Sequence, residues 1–210
     1  MQTKLGAVFE EYHSIYDRIF KRIYPAKGNN GFNEENQTVN FSKAFEKICG
    51  DNSFSWFELN IKNRGRIDAV LFNIDAREIF IVESKQFWGD KELRDSFSDI
   101  ERILDYGEIE ILKSNFCYKD YSFFGIVLAD VWLNKDRDRI VENWKEGFWT
   151  GTDDFSKLSE NWEIDTINEI VGKLKNQKWY SGNFKKSLDI VEAKYSIKNK
   201  YNLLMTCWEL

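Results

Sequence analysis

The sequence predicts an α/β fold in which a sheet of mixed strand direction is covered by helices on both faces, and three observations predict it. Residues 66–85 hold two short runs rich in Val, Ile and Phe, joined by the four residues Ile74-Asp75-Ala76-Arg77 and bounded by turn-type residues, which is the pattern of two paired strands. Both runs are apolar on both faces: Val70, Phe72, Ile79 and Ile81 on one side, Ala69, Leu71, Phe80 and Val82 on the other. Such strands belong in the middle of a covered sheet. Apolar residues then recur at helical spacing over 3–24, 35–49 and 91–106. A further apolar run, 122–133, follows the third helix, so strand, crossover helix and parallel strand succeed one another.

Taken in order, the first helix carries Phe9, Tyr12, Ile15, Tyr16, Ile19, Phe20, Ile23 and Tyr24 on one face and stops at Pro25. Its aromatic stripe reads as core or dimer packing rather than as a platform for stacking bases. Residues 26–32, rich in Gly and Asn, form a loop. The second helix, 35–49, turns Val39, Phe41, Ala44, Phe45 and Ile48 inward. After Gly50-Asp51-Asn52 comes a strand over 54–61 and a turn over 62–65, so one helix is followed by three antiparallel strands. Within the hairpin, Asn73 is expected opposite Glu78, Val70 opposite Ile81 and Asp68 opposite Glu83. The third helix buries Leu93, Phe97, Ile100, Ile103 and Leu104 under a charged outer face. The strand over 122–133 lies beside the second hairpin arm. Beyond 134 the pattern weakens: 137–148 and 165–175 read as helical, 150–154 as a loop and 201–210 as a closing strand. Trp144, Trp149, Trp162, Trp179 and Tyr180 punctuate that stretch and read as core. The chain is expected to be a single domain, with an N-terminal helix and loop (1–32), a core (33–133) and a helical, aromatic-rich C-terminal extension (134–210).

Composition narrows the function. With 210 residues, 42% hydrophobic and 16% aromatic, the chain has the means to bury a core. No apolar run approaches a membrane span and residues 1–24 are charged throughout, so neither a membrane helix nor a signal peptide is expected, and the expected compartment is the cytoplasm. Cys49, Cys117 and Cys207 are scattered and odd in number, which suggests neither a disulfide framework nor a zinc site. His13 is the one histidine. That argues against chemistry built on histidine pairs or a histidine base, as in HNH nucleases and serine hydrolases. The net charge is −5, unevenly spread. Residues 86–172 hold 20 acidic and 10 basic residues, net −10, while 173–201 hold 8 lysines and 2 acids, net +6. The basic C-terminal segment, Lys185 and Lys186 included, is therefore the first candidate for touching nucleic acid.

The chemistry concentrates at one end of the hairpin. Side chains two apart share a face, so Asp68, Glu83 and Lys85 converge on one side. Opposed carboxylates repel, and something must compensate. A hard cation such as Mg²⁺, which takes carboxylate and water oxygens, would do so. An isolated Glu-x-Lys is ordinarily a surface ion pair; an aspartate in phase on the neighbouring buried strand favours a site. Glu58 is a further acid in the preceding strand, more simply read as facing solvent. Arg64 and Arg66 flank the site as candidate phosphate contacts or as ordinary turn charges.

Asp68, an apolar arm, a turn, a second apolar arm and then Glu83-Ser84-Lys85 resemble the core motif of the PD-(D/E)xK nuclease superfamily, which includes many restriction endonucleases and DNA repair nucleases. Ile67 stands where the motif's proline would be, a substitution that the superfamily often shows. The resemblance spans about residues 33–133. It implies a restriction-endonuclease-like αβα sandwich and a Mg²⁺- or Mn²⁺-dependent nuclease, with DNA favoured over RNA. Asp68, Glu83 and the Ser84 backbone carbonyl would hold the metal, and Lys85 would serve the attacking water or the phosphate. In that superfamily the helix before the sheet often supplies another acid. Glu35 stands at the helix start, with Glu34 beside it nearly as well placed and Glu46 further along, although acids in a first turn are favoured by the helix dipole alone. Nucleases of this kind often pair to cut two strands, and the N-terminal aromatic helix offers a surface for a homodimer. A non-catalytic protein on the same fold, serving a defence or repair complex, is the alternative, with an RNA-cleaving enzyme the third.

Overall fold

The computed structural model describes residues 3–22, 33–61, 65–87, 90–104, 120–133, 175–183 and 200–210. They form helices α1 (Leu5–Phe20), α2 (Glu34–Cys49) and α3 (Asp90–Leu104), and strands β1 (Ser53–Ile61), β2 (Gly65–Asn73), β3 (Glu78–Phe87), β4 (Ser122–Leu133), β5 (Lys175–Asn183) and β6 (Lys200–Glu209). One sheet contains all six strands in the order β1-β2-β3-β4-β6-β5. The first three are antiparallel, β3 and β4 run parallel, and β6 is antiparallel to both β4 and β5. The fold is thus α/β with a mixed sheet.

The hairpin register is the one expected from closing the four-residue loop: Asn73 opposite Glu78, Val70 opposite Ile81 and Ala69 opposite Val82, while the expected pairing of Asp68 with Glu83 falls just beyond the last paired rung. Residues on both faces of these arms are buried, as expected of strands with neighbours on either side. Ala69, Leu71, Phe80 and Val82 join Ile126, Leu128, Leu203 and Met205 in the core under α1 and α2. The opposite face, with Val70, Ile81 and Val127, is covered by α3 through Ile100 and Ile103. Each fully buried side chain of this size is worth about 1.5–3 kcal/mol.

The aromatic stripe of α1 takes the core role. Tyr12, Tyr16 and Phe20 are fully buried, with Tyr12 packed edge-on against Phe41 and Phe20 against Tyr201. That face is therefore covered within the chain and is not open to a second copy. Helix α2 corrects the expectation at two positions. Phe41, Ala44 and Phe45 are buried, but Val39 and Ile48 are exposed, and the polar Gln37, Thr38 and Ser42 face inward instead. Val39 sits about 200° around the helix from Phe41, and Ile48 lies in the last turn. Asn33 caps α2, its side chain accepting from the Asn36 N–H at 2.8 Å.

The C-terminal extension also departs from the helical expectation. Lys175 opens β5 rather than closing a helix, and Trp179 and Tyr180 lie on that strand. Strand β6 is the closing strand over 201–210, and it sits inside the sheet, between β4 and β5. The helix at 137–148, the loops at 26–32 and 150–154, most of the 165–175 helix, and Trp144, Trp149, Trp162 and Cys117 lie outside the described residues. Cys49 and Cys207 are free thiols, Cys207 buried. Among the described residues, no helix is long and apolar enough to cross a membrane.

Candidate active site

Strand β3 runs from the apolar centre of the sheet into a charged end, where Glu83 and Lys85 alternate with Val82 and Ser84. Period two sends Val82 and Ser84 toward α2 and sends Glu83 and Lys85 toward α3. Ser84 Oγ lies 2.7 Å from Thr38 Oγ1 on α2. On the other face the sheet brings together Asp68, Glu83 and Lys85, as the motif anticipates.

Asp68 sits where the ladder stops. The regular pairing of β2 with β3 extends as far as Ala69 with Val82. Beyond it the Asp68 carboxylate accepts the Ser84 backbone N–H at 2.8 Å, substituting a side-chain bond for a ladder bond. Across the other edge of β2, Glu58 has a positive φ of 55° and its side chain is exposed. It pairs with Arg66 at 3.2 Å, so both face solvent rather than the site.

The repulsion between Asp68 and Glu83 is met from α3. Arg102 forms an ion pair with Glu83, and Asp99 pairs with Lys85 at 2.8 Å. Asp99 and Arg102, one turn apart, are themselves 3.2 Å apart, so Glu83, Arg102, Asp99 and Lys85 form a chain of alternating sign. These two α3 residues belong to the outer face in the sequence reading; the structure turns them inward.

Glu34 completes the group. Its carboxylate accepts the Gln86 backbone N–H at 3.2 Å and lies within the field of Lys85 and Asp68. Glu35, one position on, is exposed and accepts from the Asn33 side chain at 3.4 Å, outside the site. The correction has a helical cause. Glu34 shares a face with Thr38 and Phe41, which look at the sheet, while Glu35 is turned about 100° away. Glu46 bonds Ser55 at 2.6 Å on the surface, away from the site. Arg64, Lys185 and Lys186 lie outside the described residues.

Behind the site, Gln37 donates from one amide nitrogen to the Lys85 carbonyl at 3.0 Å and to the Asp130 carboxylate at 2.9 Å. Asp130 is fully buried and also accepts from the Tyr201 hydroxyl at 2.7 Å. The sequence reading missed both residues. Asp130 had a signal: it interrupts an apolar strand in phase with Ile126 and Leu128.

The electrostatics follow from burial. Desolvation raises the Asp68 carboxyl, partly offset by the Ser84 N–H and the Lys85 charge. Glu83, 2% exposed, is pushed well up by burial and by the charges of Asp68 and Asp99, against the pull of Arg102. Burial likewise raises Glu34, with Lys85 opposing. For Lys85, burial lowers the pKa, but the pair with Asp99 and the nearby Glu34 and Glu83 outweigh it, so the ammonium ends above its ordinary value. A lysine held in this way keeps its proton near neutrality. Four carboxylates (Glu34, Asp68, Glu83, Asp99) face two cations (Lys85, Arg102), a formal balance of −2. Among the described residues, no three acidic, histidine or cysteine side chains are drawn close enough to cage an ion.

No family model matches the chain, and neither does any curated protein or solved structure.

Proposed function

We propose that the protein is a metal-dependent nuclease of the PD-(D/E)xK type, acting in the cytoplasm on phosphodiester bonds, with DNA as the favoured substrate. The observation that carries this reading is the meeting of Asp68, Glu83 and Lys85 on one face at the frayed end of β2 and β3, with Glu34 arriving from the preceding helix. The mixed sheet with helices against it supports it, a sandwich of mixed sheet and flanking helices being what the resemblance implies.

A hard dication suits these residues in kind, since such ions take one or two carboxylates with carbonyl and water oxygens, although among the described residues no three acids are drawn together. The residues offer carboxylate oxygens, the donors such ions prefer, and the burial that pushes Asp68, Glu83 and Glu34 up is the cost a bound cation would relieve. Asp68 and Glu83, with the Ser84 carbonyl and Glu34, would hold Mg²⁺ or Mn²⁺. When bound, such an ion supplies positive charge to a scissile phosphate and acidifies a water. The chain's own part is positional. The Ser84 N–H fixes one oxygen of Asp68 and leaves the other available. Lys85, kept protonated by Asp99, is suited to neutralise charge on phosphate rather than to act as a base.

Incubating purified protein with supercoiled plasmid and with a matched RNA, each with Mg²⁺ or Mn²⁺, tests this. Cleavage is expected on the DNA, lost with a chelator and lost in Asp68→Asn and Lys85→Ala. Cleavage persisting in chelator, or in both variants, would refute it; cutting of the RNA alone would reassign the substrate. One observation favours the second reading, a non-catalytic protein on a nuclease fold: Glu83 and Lys85 are each engaged by an ion pair with α3. That reading expects no heat of Mn²⁺ binding.

A further inference from the structure

We propose that Arg102 is a built-in counter-ion of Glu83 that competes with a divalent cation for the same carboxylate, and that on displacement it turns toward the substrate phosphate. The inference rests on the metal-dependent reading above and concerns how the site is opened.

A buried carboxylate remains ionised only against positive charge. For Glu83, with its side chain 3% exposed, Arg102 provides it. Arg102 holds one oxygen of Glu83, and a cation on the same carboxylate would meet the guanidinium charge at close range, where the two repel. Each therefore weakens the hold of the other on Glu83.

Displacement is feasible without moving the helix. The Arg102 side chain is 27% exposed against 3% for Glu83, with its Nε buried, so the guanidinium is partly open while Glu83 is closed off. It also keeps a second anchor, Asp99 at 3.2 Å, one turn back on α3. Asp99 in turn holds Lys85 at 2.8 Å. Opening the ion pair between Arg102 and Glu83 leaves Lys85, Asp99 and Arg102 connected, with two cations gathered over one anion. That array suits a phosphodiester: the planar guanidinium fork can take its two non-bridging oxygens, with the ammonium beside them as a point charge. Arg102 is accordingly a positioning residue that exchanges a carboxylate partner for a phosphate one.

Calorimetric Mn²⁺ titration of the full chain, with wild type, Arg102→Gln, Arg102→Lys, Asp68→Asn and a distant control, Arg18→Gln, tests the competition. Arg102→Gln is expected to bind Mn²⁺ about tenfold tighter or more, since a competing charge is gone. Arg102→Lys, which keeps the charge but loses the fork, is expected to gain less, and Arg18→Gln nothing. The melting temperature of Arg102→Gln should be lower than that of wild type and climb more steeply with Mn²⁺. Should Arg102→Gln fail to fold, Arg102→Lys carries the test by binding more tightly than wild type. Equal or weaker binding in the Arg102 variants, with binding still lost in Asp68→Asn, overturns this inference and leaves the nuclease reading standing. Absence of Mn²⁺ binding in wild type and in every variant overturns both.

Discussion

Replacing Asp130 by Asn removes a titrating group from the middle of the sheet while keeping its shape and one acceptor oxygen. Asp130 is fully buried, and burial drives its pKa up from the ordinary 3.8 to about 7, against the hydrogen bonds of Tyr201 and Gln86 and with help from the charge on Glu34. In the folded protein it therefore holds its proton to near neutrality, while the unfolded chain releases it about three units lower. Between those two values the native state binds more protons, so stability falls as pH rises through the window and levels off above it. About three units at about 1.4 kcal/mol each give about 4 kcal/mol in total. Asn cannot titrate, so the stability of Asp130→Asn relative to wild type should climb by about 4 kcal/mol across the window, with more than half of the gain between about pH 5 and about pH 8. Urea unfolding followed by tryptophan fluorescence at several pH values measures both curves. Curves that stay parallel throughout would refute the claim that this carboxyl is neutral in the fold at mildly acidic pH.

Gly125→Ala should destabilise by about 2–3 kcal/mol, because the added methyl would stand 2.3 Å from the fully buried Trp208 ring, which has to shift; an unchanged urea midpoint would count against that packing. Asn33→Ala removes the α2 cap and should cost about 1 kcal/mol. Because Glu34 lies in the same first turn, the substitution should also speed amide exchange at Asn36 and Gln86, and unaltered exchange at both would show that the cap does not hold the turn.

Much of this architecture was legible because two periods stay in phase. The four-residue loop between two apolar arms indicated the hairpin register and, with the strand period of two, both its faces, and the 3.6-residue spacing located all three described helices. The polar members of the site were not legible by that route. Gln37 and Thr38 point inward because their partners are a carbonyl and a hydroxyl of β3, and a count of apolar residues passes over them. Asp99 and Arg102 resemble solvent-facing charges until the crossover sets them above Glu83 and Lys85. Strand β5, reading Lys-Asn-Gln-Lys-Trp-Tyr-Ser-Gly-Asn, has no strand alternation of its own and is strand only by pairing with β6. Choosing between Glu34 and Glu35 required the helix phase, which Phe41 and Phe45 contain but which a first-turn acid alone does not reveal.

The place of β6 between β4 and β5 has a consequence for the order in which the chain can fold during synthesis. Helix α2 through β4 can assemble from neighbours in sequence, yet one edge of β4 then waits for a strand that lies about seventy residues downstream. Until β6 leaves the ribosome, β4 presents an unpaired edge bearing Ile126 and Leu128, and the core lacks Tyr201, Leu203 and Met205. A nascent chain stalled short of β6 is thus a protein with an open, apolar strand edge, the kind of surface that chaperones hold and that aggregates when they do not.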